Sequence, residues 1–65
     1  MQMTLTLRAA RVNAGMTQEA AAKAMGVCRQ TLIRWEAGKD APRKENLEAL
    51  CRLYGIKKED IREKN

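Results

Sequence analysis

The clearest hydrophobic pattern in the chain is Leu47, Leu50, Cys51 and Tyr54, spaced i, i+3, i+4 and i+7. That spacing draws one apolar stripe along a helix of about Lys44 to Tyr54. Upstream, the glycines at 15, 26 and 38, like the one at 55, each close a plausible short helix, where a left-handed cap needs no Cβ. The first helix is predicted from Leu7 to Ala14 behind a Thr6 cap, and the second from Gln18 to Met25 behind Thr17. Glu19 suits the positive end of the second helix dipole, and alanines at 20, 21, 22 and 24 favour the helix itself. A turn, Gly26-Val27-Cys28, leads into a third helix from Arg29 to about Ala37, and Gly38 to Pro42 reads as a loop. A last helix is expected from about Lys58 to Lys64. Lys57 is a poor N-cap for it, although Glu59 and Asp60 suit a first turn. No stretch alternates like a strand, so the fold class is all-α, with five short helices.

Length and composition narrow the function. Sixty-five residues without repeats or a linker suggest a single domain over 1–65, whose small core buries about 60% of the unfolded chain's surface. No apolar run is long enough to span a membrane, and the start of the chain lacks a signal peptide's apolar stretch. Cys28 and Cys51 then read as reduced thiols of a cytoplasmic protein rather than a disulfide. Histidine is absent, which removes the usual general base and the commonest zinc ligand. No enzyme activity, cofactor or metal is therefore expected.

The charge is uneven. Residues 8–44 carry eight cations against three anions, a net +5, whereas residues 45–65 balance five against five. A basic region of this kind suits a polyanion, either nucleic acid or an anionic membrane surface. The membrane reading lacks the large apolar face that interfacial helices show.

Two short helices joined by a three-residue turn containing glycine make a helix-turn-helix unit, here about 17–37, whose second helix fits the major groove of DNA. Ala22 is small enough for close approach of the second helix, and Gly26 permits the sharp turn. With Val27 and Leu32 turned into the core, Arg29, Gln30, Ile33 and Arg34 are left on the opposite face. Arg can read guanine O6 and N7, and Gln can read adenine N6 and N7. Ile33 suits either a thymine methyl or a partial core contact. Thr17 and Gln18 open the second helix, where backbone donors and the dipole favour a phosphate. Lys39, Arg43 and Lys44 follow the third helix and can clamp the DNA backbone. Trp35 reads as structural, because stacking on single strands uses several interleaved aromatics and this chain has one Trp and one Tyr. Cys28 at the start of a helix invites a redox-sensor reading, but capping or packing is the simpler role. Met1, Met3, Met16 and Met25 read as N-terminal and core residues.

At these residues the chain resembles the phage-repressor and Cro type of helix-turn-helix protein, the XRE family. The resemblance rests on Ala10-Arg11, Gly15-Met16-Thr17-Gln18-Glu19, Ala22, Gly26-Val27, Thr31-Leu32, Trp35-Glu36-Ala37-Gly38-Lys39, Pro42, Asn46-Leu47 and Leu50. It covers roughly Leu7 to Ile61 and implies a five-helix, lambda-repressor-like domain, usually dimeric on operator DNA. It also pairs Arg11 with Glu36 as a partly buried ion pair. The chain departs from the family pattern in two ways: Cys28 replaces the common Ser or Thr, which weakens a helix cap, and Ala10 and Ala21 replace larger aliphatics. The function implied is a transcriptional repressor that reads an operator in double-stranded DNA through residues 29–37. The alternative is a protein-binding adaptor or antitoxin-like module. A homodimer, formed at the latest on DNA, would use the C-terminal part, where Ile56 and Ile61 supply apolar contact.

Overall fold

The computed structural model describes residues 5–61, in the order α1 Leu7–Asn13, α2 Gln18–Met25, α3 Arg29–Ala37 and α4 Lys44–Tyr54, followed by a 3-10 turn at Lys58–Asp60. The hydroxyls of Thr6 and Thr17 open α1 and α2, accepting from the Ala9 and Ala20 amides at 3.1 and 3.0 Å. Each satisfies one of the orphan donors of a first turn. The first helix stops at Asn13, one residue short of the expected end, with Ala14 as its cap. Gly26 ends α2 in the left-handed region at φ +73, and the Val27 amide then donates to the Ala22 carbonyl at 3.0 Å. This closure turns the chain sharply enough to start α3 three residues later.

Cys28 does not cap α3: its side chain accepts no backbone bond, and it is exposed, so it packs no core either. Thiol sulfur is a weak acceptor, which leaves the start of α3 without the bond a Ser or Thr would make.

The core gathers one face of each α-helix. Leu32 of α3 and Leu50 of α4 are fully enclosed, with Leu7, Ala10, Ala21, Ala22, Trp35, Leu47, Cys51 and Tyr54 around them. Both α1 and α2 pack against α3 and α4, so the pair α2–α3 is held from behind. Ala10 and Ala21 are buried, and their short side chains suit close backbone approach. Met16 and Met25 pack against the core rim; Met1 and Met3 lie outside the described residues.

The fifth helix is corrected. Only the 3-10 turn Lys58–Asp60 forms, and Ile61 is already extended (φ −90, ψ 132), paired in parallel with Leu5. Lys57 offers no cap bond, while the Leu5 amide donates to the Asp60 carbonyl at 2.7 Å. That contact draws the chain out of helical geometry. Residues 62–64 of the expected helix lie outside the described residues. No helix among the described residues is long and apolar enough to cross a membrane.

Candidate nucleic-acid interface

Helix α3 divides its residues by face. Leu32 and Trp35 are buried, which makes Trp35 a core residue. Arg29, Gln30 and Arg34 are exposed, and Ile33 between them is half-buried. Thr17 is exposed and Gln18 half-buried at the start of α2. Arg8, Thr17, Gln18, Arg29 and Ile33 line one open depression of about 650 Å³, so the start of α2 and the outer face of α3 form one surface. Gln30 and Arg34 lie outside that depression, as do Lys39, Arg43 and Lys44, which are exposed beyond the end of α3.

Beneath this surface lies a polar network. Arg11 Nε donates to Glu36 Oε2 at 2.7 Å, with both side chains at most 10% exposed. Arg11 Nη2 reaches Glu36 Oε1 at 3.4 Å, and Nη1 donates to the Met16 carbonyl at 2.8 Å. Gln18 Nε2 also donates to Glu36 Oε1, at 3.1 Å. The network therefore joins α1, the loop before α2, the first residue of α2 and the last turn of α3. It fixes the angle at which α3 stands to the start of α2. It also engages one of the two N–H donors of the Gln18 side-chain amide within the protein. What α2 offers an anion at this end is its first-turn backbone N–H groups, the second N–H of the Gln18 amide and the Thr17 hydroxyl.

Arg34 has an intramolecular partner as well: Nε donates to Asp40 Oδ2 at 2.6 Å. This hydrogen bond, with the charges of the two groups, holds the Asp40 carboxyl below its usual range and raises Arg34 above its own. On α4, burial pushes the Tyr54 hydroxyl up to about 12, helped by the negative charge of Glu36, and that hydroxyl has no hydrogen-bond partner among the described residues. Burial likewise raises the Cys51 thiol above its usual range. Among the described residues, no three His, Cys, Asp or Glu side chains gather as a metal site would require.

Two residues of this region escaped the sequence reading, and a third was read only in part. Arg8 lies one turn before Arg11 on α1, a spacing that carries a signal only once α1 is known to flank α2. Asp40 stands two residues past a capping glycine, a placement that returns a side chain to the helix end. Tyr54 was legible as core, but not as a core residue with an unmatched hydroxyl.

Residues 7–61 match the family described as helix-turn-helix. An uncharacterized HTH-type transcriptional regulator of Methanocaldococcus jannaschii is 44% identical over 46 residues, covering 71% of this chain and 70% of that protein. No solved structure gives a significant match. With α2, the Gly26 turn and α3 in the geometry described, and with a match spanning nearly the whole described chain, the protein belongs to the helix-turn-helix family of the phage-repressor and Cro type, the XRE family of DNA-binding transcription regulators.

Proposed function

We propose that this protein is a repressor that recognises a specific operator in double-stranded DNA and acts by occupying it, without performing chemistry. The observation that carries the reading is the face of α3, where Arg29, Gln30 and Arg34 stand exposed around Ile33 beside the positive start of α2. Arg29, Gln30, Ile33 and Arg34 are assigned to base edges. Thr17, the start of α2 at Gln18, Lys39, Arg43 and Lys44 are assigned to phosphates on either side. The +5 excess of residues 8–44 supplies the sequence-independent share of affinity.

A single α3 spans few base pairs, so two copies related by a two-fold axis make the functional unit, with their α3 helices about 34–36 Å apart. The half-buried Ile56 and Ile61 are assigned to the surface between them. The unit proposed for all of this is the one domain 1–65, working in the cytoplasm where its DNA is.

In vitro selection of bound duplexes, followed by salt titration, tests the reading. Selected sites should be inverted repeats with half-site centres one helical turn apart, and the logarithm of affinity should fall linearly with the logarithm of salt. Gln30→Ala should cost about 1–3 kcal/mol at particular bases, while Lys39→Ala should weaken all sequences alike and lower the salt slope by about one. A protein that enriches no sequence and binds duplex DNA without salt dependence would instead be the adaptor or antitoxin-like module.

A further inference from the structure

Arg34 and Asp40 are six residues apart, a separation that brings no two side chains together along one helix. The turn at Gly38, with φ +78, brings them together. Past it, the Lys39 amide donates to the Arg34 carbonyl at 3.0 Å and the Asp40 amide approaches the same oxygen at 3.4 Å. The loop thus folds back over the end of α3 and delivers a carboxylate to the Arg34 side chain, where Nε meets Oδ2 at 2.6 Å. Both side chains are about half exposed, at 48% and 52%, so the pair adds little to stability. Asp40 is moreover the one acid between Ala37 and Lys44, among Lys39, Arg43 and Lys44. An anion at that place opposes the binding of a polyanion. It needs another explanation.

The explanation lies in which donor is used. Guanidinium carries five N–H donors in a rigid plane, and the Asp40 bond engages Nε, leaving the two Nη groups as a paired edge. That edge presents two parallel N–H groups that can pair with guanine O6 and N7. Because the arginine is already held, less rotamer freedom is lost when the base is read. We propose that Asp40 is a specificity-determining residue, which positions Arg34 for one guanine and penalises duplexes that do not offer it. The inference rests on the reading of α3 as the base-reading helix. It combines an attractive element with a repulsive one, which is how discrimination is commonly built.

The test compares Asp40→Asn, Asp40→Ala and Arg34→Lys by measuring Kd for the selected duplex, for its single-base-pair variants and for a scrambled duplex at fixed salt. Asp40→Ala should tighten binding to the scrambled duplex and lose about fivefold or more of the discrimination at one base pair. Asp40→Asn keeps a carbonyl oxygen for Nε, so it should tighten the scrambled duplex similarly yet retain most of that discrimination. Arg34→Lys should lose the same position, and should lose no more when combined with Asp40→Ala. If Asp40→Ala strengthens every duplex alike and leaves discrimination intact, Asp40 is only a repulsive charge and the proposal is overturned. Failure of the underlying reading has a different signature, with the parent protein binding selected and scrambled duplexes equally. That result would overturn both.

Discussion

Tyr54 keeps its ring in the core, and its hydroxyl has no hydrogen-bond partner among the described residues, so that atom adds no bond to the fold. Removing it should be neutral or slightly stabilising, because no bond is lost and a buried polar group disappears. The pH dependence gives a sharper signature. The folded value of about 12 exceeds the unfolded value near 10, so the protonated form favours the fold. Its contribution is complete below about pH 10 and is lost as pH rises toward 12, amounting to at most about 2–3 kcal/mol. Tyr54→Phe should therefore flatten the alkaline fall in stability relative to the parent protein, measured by denaturant unfolding at a series of pH values. Equal slopes for the two proteins would show that the hydroxyl ionises without strain. Glu36 is the opposite case, since its carboxylate accepts from both Arg11 and Gln18. Glu36→Ala strands a buried guanidinium, at about 3–5 kcal/mol, enough to unfold much of so small a protein. Replacing Arg11 and Glu36 together by apolar residues should recover most of the loss in a thermal melt, and failure to recover would mean that Gln18 and Met16 depend on the pair.

The elements differ in how well they are begun. Helices α1 and α2 each receive a threonine hydroxyl at the first turn, whereas α3 starts at Cys28 with no side-chain bond. Cys28→Ser should add the missing cap and raise stability by about 0.5–1 kcal/mol, while Thr17→Ala should lower it by about 1 kcal/mol. Urea midpoints for the pair check both signs, and a neutral Cys28→Ser would show that backbone geometry, not the acceptor, limits this start. These helices were legible because their caps, glycines and apolar stripes are local signals. The segment after Gly55 was not, since its fate depends on Leu5, more than fifty residues away. A window of sequence holds no record of that pairing. The same distinction divides the site: the outward set on α3 follows from helical periodicity, but the return of Asp40 to Arg34 needs the turn at Gly38 in three dimensions. The bond from Gln18 to Glu36 needs α2 and α3 already docked.

At the scale of the molecule, the parallel contact between Leu5 and Ile61 closes the described chain into a ring. Closing a loop of that length from an open chain carries a large entropic cost, but four packed helices have already met it. Among the described residues the contact then adds one backbone bond, about 1 kcal/mol net, and the packing of the half-buried Leu5 and Ile61 on the core rim, against the ordering of the few residues that reach it. Such a clasp opens without unfolding the rest. The molecule therefore has two tiers of protection against exchange with deuterated solvent. The Leu5 amide should exchange orders of magnitude faster than the Leu32 and Leu50 amides, and its rate should be insensitive to low urea because little surface is exposed when it opens. The core amides should exchange only through global unfolding and respond steeply to urea. A Leu5 amide as protected as that of Leu50 would make the ring one cooperative unit, with the first and last described segments as integral to the fold as the helices between them.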